Sequence, residues 1–155
     1  MKETKQFKSK ETKKWKTSRD IRNPLRGKWK IGEVVEGCVV PKGWGEELII
    51  ENNEMYCGKL LIFKKGCKFS MHYHLIKDET WYVDKGEFLY RWIDTETAET
   101  IEQKLKVGDI VRQRVGQPHQ LEAMTDGVVF EVSTQHFDKD SYRIIRGDSQ
   151  DESMD

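Results

Sequence analysis

The chain has 155 residues, 27 basic and 27 acidic, and only 36% of it is apolar, a length and composition that fit a single domain. No stretch approaches the roughly 20 apolar residues of a membrane span, and no apolar run of the signal-peptide kind follows the opening MKETKQFKSK, so the expected setting is the cytoplasm. Three cysteines, Cys38, Cys57 and Cys67, have no Cys-x-x-Cys spacing, which argues against a disulfide framework or zinc ribbon and for reduced core thiols.

The zero net charge is unevenly distributed. Residues 1–30 hold twelve Lys or Arg against three acids, a net of +9 that leaves −9 on the other 125. The apolar residues there, Phe7, Trp15, Ile21, Leu25 and Trp29, keep neither a helical nor a strand period and bury too little area to offset ordering entropy. Residues 1–27 are expected to form a flexible basic arm. Such an arm is a solvated tail, a segment that docks on the acidic domain or a twin subunit, or an anchor for nucleic acid or an anionic surface.

Residues 28–146 read differently. Short runs rich in Val, Ile, Phe, Tyr and Trp alternate with Gly-, Asn- and Asp-containing breaks, which is a strand-and-turn pattern. The predicted strands are 37–40, 47–51, 56–63, 68–75, 80–83, 87–93, 100–105, 109–113, 120–123, 128–132 and 141–145. No window carries an apolar helix face over ten residues, so the expectation is an all-β antiparallel sandwich or small barrel. The acidic tail, 147–155, is expected to fray after Arg146.

In the predicted strand 68–75, Phe69, Met71, Tyr73 and Leu75 alternate with Ser70, His72 and His74, so both imidazoles share one face. Two nitrogen donors thus stand roughly 6 to 7 Å apart along the backbone. Four residues on, Glu79 heads the next strand, where a hairpin returns its carboxylate to the same point, and His119 opens a later strand after Gly116, Gln117 and Pro118. Three imidazoles and a carboxylate suit one divalent transition ion, Zn, Mn, Fe, Co or Ni, with coordination positions left open for chemistry.

The spacing Gly66, five residues, His72, one, His74, four, Glu79, six, Gly86 resembles the first signature of the cupin superfamily. Gly108, ten residues and His119 resemble the second, with Arg114 where that pattern prefers Pro and Ala123 where it prefers Asn. The resemblance covers about residues 40–146. It implies a double-stranded β-helix, the cupin jelly roll, usually dimeric, with His72, His74, Glu79 and His119 as the ligands of one metal ion per subunit. The stretches Gly43-Trp44-Gly45, Ser70-Met71-His72-Tyr73-His74, Glu79-Thr80-Trp81-Tyr82-Val83 and His119-Gln120-Leu121-Glu122 are similar to the cupin domain of type II mannose-6-phosphate isomerases. That likeness implies isomerisation of a sugar or sugar phosphate; the competing expectations are a non-catalytic sugar- or metabolite-binding cupin and a metal-dependent dioxygenase.

Isomerisation moves a proton between neighbouring carbons and needs a Lewis acid and a base. Base candidates are Lys59, Tyr82, Arg91, Glu122 and Glu131, and cations that suit a phosphate are Lys59, Arg91, Arg112, Arg114 and Arg143. By strand parity Ser70, Trp81, Val83, Leu121 and Ala123 line the cavity, which is expected to be apolar with a polar floor. His136, Asp138 and Asp140 lie outside both signatures and are expected to be ordinary loop residues. The expected partners are a small-molecule substrate and a second subunit, with no membrane and nucleic acid only through the arm.

Overall fold

The β-branched and aromatic runs form strands because alternate side chains can be buried on one face of a pleated sheet. The computed structural model describes residues 36–151 together with Gly32 and Val34; the expected basic arm, 1–27, lies outside the described residues. Eleven strands follow one another: β1 (Cys38–Lys42), β2 (Gly45–Asn52), β3 (Cys57–Phe63), β4 (Met71–Tyr73), β5 (Glu79–Lys85), β6 (Phe88–Ile93), β7 (Thr100–Leu105), β8 (Ile110–Gln113), β9 (His119–Ala123), β10 (Gly127–Ser133) and β11 (Tyr142–Ile145). A helical turn at Asp138–Asp140 precedes β11, and a short helix, α1 (Asp148–Asp151), follows it. No described helix is long and apolar enough to cross a membrane.

Two antiparallel sheets result, one ordered β1-β2-β3-β10-β5-β8 and the other β11-β4-β9-β6-β7. Their inward faces meet in a core of Trp44, Leu61, Phe63, Phe88, Leu121 and Val129, among others. Trp44 stacks on Phe63 at 4.4 Å between centroids, and Phe63 meets Phe88 edge-on at 5.3 Å. Each such side chain contributes roughly 1.5–3 kcal/mol through the area it removes from water. Gly45 is required by its place in the β1–β2 turn: at φ +147° a side chain there would lie 1.9 Å from the carbonyl oxygen of Ile62.

Two expectations change. The predicted strand 68–75 pairs as a strand only at Met71–Tyr73, with one isolated bridge from Lys68 to Glu122. Around Phe69 and Ser70 the neighbour is Gly147, whose missing side chain lets the two backbones touch. For the same reason the chain does not fray directly after Arg146. Asp148 donates its amide to the Lys68 carbonyl at 3.0 Å and accepts the Lys68 amide on Oδ2 at 2.7 Å, and Ser149 Oγ accepts the Gly43 amide at 3.1 Å.

Candidate metal centre and cavity

The small sheet brings His72 on β4 directly opposite His119 on β9, and His74 follows one residue past β4. One ring nitrogen from each of the three lies within 4.8 Å of the others. Each ring is oriented by a backbone carbonyl. His72 Nδ1 donates to Ser70 O at 2.8 Å, His74 Nδ1 to Asp140 O at 2.7 Å and His119 Nδ1 to Gln117 O at 2.8 Å. A carbonyl only accepts, so the proton sits on Nδ1 in each ring and the Nε2 lone pairs converge.

Burial holds His72 well below the ordinary imidazole range, reinforced by His119 and His74, and burial with the nearby Lys77 charge brings His74 down to about 4. Both are neutral donors near pH 7. Glu79, from β5 of the large sheet, sets Oε1 2.8 Å from His119 Nε2 and 3.8 Å from His74 Nε2. Both nitrogens are buried with no hydrogen-bond partner, so lone pairs face a carboxylate with no proton between them. The donor set fits a divalent cation: carbonyl-anchored imidazoles with free Nε2 atoms are the arrangement metal-binding histidines adopt.

The other oxygen of Glu79 is held by Lys77, Nζ to Oε2 at 2.5 Å, and the same ammonium bonds Glu131 Oε1 at 3.0 Å. Burial opposes ionisation of Glu79, but the Lys77 ammonium outweighs it and keeps the carboxyl well below its usual range. Glu131 goes the other way: burial and the charge of Glu79 push it up despite Lys77 and Lys59. Lys59 lies beside Glu131 in the register of β3 and β10 and reaches Glu47 Oε2 at 3.4 Å.

These groups surround a cavity of about 470 Å³. Of the lining residues expected from parity, Ser70 and Trp81 are present, whereas Val83, Leu121 and Ala123 belong to the packed core. The walls carry far more charge than an apolar vessel with a polar floor: Lys42, Glu47, Lys59, Lys77, Glu131, Asp138, Lys139 and Arg143 all face it. Phe69 also lines it, because the chain leaves the sheet ladder there and parity lapses.

Base candidates separate by face. Lys59 and Glu131 line the cavity. Tyr82 does not: it points outward from β5 and is 41% exposed. Arg91 is outside too, bonding Glu102 and Glu122 across the small sheet, which also places Glu122 there. Among the cations considered for phosphate, Arg112 pairs with Asp78 on the outside and Arg114 is exposed away from the cavity. Lys59 and Arg143 line it.

Residues passed over as ordinary have defined places. His136 lines the cavity, bonded through Nε2 to Asp138 Oδ1 at 2.8 Å, and its backbone is held by the Asn52 carboxamide, which accepts from N at 2.9 Å and donates to O at 3.1 Å. Asp140 is a buried carboxylate that accepts the amides of Leu75, Ile76 and Lys77 at 2.8 to 3.2 Å. It thereby shapes the loop from His74 to Glu79, while its own carbonyl orients His74. Asp140→Ala is expected to cost about 3 kcal/mol in a urea denaturation series, the scale for losing charge-assisted bonds to buried amides. Lys77 counts in sequence only as spacing between His74 and Glu79; its signal was a lysine two residues before a candidate ligand.

No protein-family model matches the sequence, and no curated protein sequence does. Solved structures do match. CapF, the capsular polysaccharide assembling protein of Staphylococcus aureus, superposes with a TM-score of 0.62 at 23% identity over 69% of this chain and 34% of its own. KdgF of Halomonas sp. gives 0.53 at 20% identity, over 61% of this chain and 81% of its own. Oxalate decarboxylase of Bacillus subtilis gives 0.60 at 15% identity, over 70% of this chain and 30% of its own. The chain thus spans about a third of the length of CapF and of the decarboxylase. At these identities the likeness establishes the fold, which is the cupin jelly roll.

Proposed function

We propose that this chain is a metal-dependent isomerase of a sugar or sugar phosphate, with His72, His74, Glu79 and His119 as ligands of one divalent ion. The observation that carries it is a cluster of three imidazole nitrogens within 4.8 Å of one another, two of them facing one carboxylate oxygen of Glu79, with a second carboxyl, Glu131, tied to the same site through Lys77. Such an ion supplies a Lewis acid that polarises the substrate's carbonyl and hydroxyl oxygens. A manganese centre in the related fold of Bacillus subtilis oxalate decarboxylase supports the choice of a transition metal.

The chain's own groups account for the rest. Glu131, its carboxyl raised by burial, takes the proton from one carbon and returns it to the neighbouring one, since a base is most effective when its pKa approaches the working pH. Lys77 holds Glu79 and Glu131 in fixed relation and offsets part of their charge. Trp81, Leu61 and Phe69 supply the apolar wall, and Lys42, Lys59, Lys139 and Arg143 supply cations for a phosphate or carboxylate.

The test is to incubate the metal-loaded protein in D₂O with a panel of aldose and ketose phosphates and follow exchange at C-2 by NMR. Isotope incorporation together with aldose–ketose interconversion is the expected result. No exchange with any substrate at full metal occupancy would reject catalysis and leave a binding protein, while oxygen uptake by an iron-loaded sample would instead indicate a dioxygenase.

A further inference from the structure

Histidine is the side chain whose ordinary proton affinity suits proton transfer near neutral pH, and the chain has four. Three meet at the metal centre. The fourth, His136, stands between β10 and the helical turn at Asp138–Asp140, and it lines the same cavity with 13% of its side chain accessible.

Its neighbours decide what that ring can do. The buried Asn52 carboxamide bonds both the amide and the carbonyl of His136, at 2.9 and 3.1 Å, and so fixes the backbone past the end of β10. Two residues on, Asp138 Oδ1 takes the Nε2 proton at 2.8 Å. A carboxylate only accepts, so this contact sets the tautomer and leaves the ring's lone pair on Nδ1. That atom is buried and has no hydrogen-bond partner. Burial, with the charges of Lys59 and Lys77, holds the imidazole well below its ordinary range, so the lone pair stays available at pH 7. Leaving such an acceptor unpaired costs about 1–3 kcal/mol, a cost removed when a bound ligand's hydroxyl donates to it. An imidazole oriented by a carboxylate on its other nitrogen is a directed proton acceptor.

The isomerisation proposed above leaves one proton without a carrier. When Glu131 takes the C-2 proton of an aldose, the enediolate holds its charge on O-1 and a proton on O-2. Returning the carbon proton to C-2 restores the aldose. Ketose forms only when C-1 gains that proton, O-2 gives up its own and O-1 is protonated.

We propose that His136 is a second catalytic residue of this site, taking the O-2 proton on Nδ1 and delivering it to O-1 while Glu131 carries the carbon proton. The step is redox-neutral, and both side chains end in the protonation state in which they began. The enediolate's negative charge raises the proton affinity of the ring, and Asp138 stabilises the imidazolium while it lasts. Asp138 acts through His136 and is a positioning residue. This role rests on the isomerase reading and deepens it.

The test follows two rates in D₂O on the metal-loaded full-length chain: isotope entry at C-2 of recovered aldose, and ketose formation. The substrates are the panel of aldose phosphates, glucose 6-phosphate and mannose 6-phosphate among them. In His136→Gln the amide still donates to Asp138, but the titrating lone pair is gone. Ketose formation is expected to fall at least about 100-fold while C-2 exchange falls less than about 10-fold, since a positioned proton carrier contributes 10²- to 10⁴-fold only to the step it serves. Metal stoichiometry is expected to stay the same. Asp138→Asn, whose amide can donate to Nε2 and so releases the tautomer, is expected to raise the ratio of exchange to conversion by a smaller factor; it serves alone if circular dichroism shows His136→Gln unfolded. A merely structural role would lower both rates together. Equal loss of both rates, or no change in either, overturns the proposal. A native chain showing neither exchange nor conversion instead rejects the isomerase reading, and this role with it.

Discussion

Replacing His72 and His74 together by Ala is expected to abolish stoichiometric binding of a divalent transition metal, read by isothermal titration and by metal analysis after dialysis. Losing even the group that orients a ligand costs roughly 10–100-fold in affinity, so removing two ligands is expected to cost about 10⁴-fold or more. The effect separates from misfolding because neither ring lies in the apolar core cluster. Each instead spends its Nδ1 proton on a backbone carbonyl of the site, Ser70 or Asp140. Far-UV circular dichroism and the thermal midpoint are therefore expected to change little. Retention of one tightly held ion per chain by this variant would show that the ligand assignment is wrong.

Glu131→Gln gives the second large effect. The substitution keeps the shape and leaves a carbonyl oxygen to accept from Lys77, so the 3.0 Å contact to Nζ survives in kind while the proton-accepting carboxylate is gone. Metal stoichiometry is expected to stay the same, and C-2 exchange in D₂O is expected to fall 10²- to 10⁴-fold, about what a positioned base contributes. Tyr82→Phe is the matched control, because Tyr82 stands on the opposite face of the same sheet and its hydroxyl is remote from the cavity. Unchanged exchange in Glu131→Gln would remove Glu131 from the reaction and direct attention to Lys59, which also lines the cavity. A simultaneous loss of metal would show instead that Glu131 acts through Lys77 on Glu79.

The two kinds of candidate residue differ in how local their evidence is. His72 and His74 are two apart, and Glu79 follows within a hairpin, so a two-residue period and a short loop suffice to bring them near one another. Glu131 and Lys59 are 72 positions apart in sequence and become neighbours only through the pairing of β10 with β3. Parity along a strand puts Glu79, Trp81 and Val83 on one face and Tyr82 on the other, yet it does not say how deep each residue sits. Val83 therefore lies wholly in the core while Trp81, also packed there, reaches the cavity wall, although they share a face. The same limit applies to Arg91 and Glu131, both charged residues on apolar strands, of which one faces solvent and the other the cavity.

By itself the sequence determined the strand-and-turn rhythm, the absence of long helices among residues 28–146, and a set of histidines and a glutamate at suggestive spacing, because hydrophobic period and turn chemistry are properties of neighbouring residues. Only the tertiary structure decided that the cavity is walled by paired charges, that Lys77 bridges two glutamates, that Asp140 and Gly147 fasten the C-terminal segment around the site, and that one register row on the outer face of the six-stranded sheet, from Val39 to Ile110, is apolar from edge to edge. Those features arise where strands distant in sequence lie about 5 Å apart, and strand order and register, which create such neighbours, are not written in any local stretch of the chain.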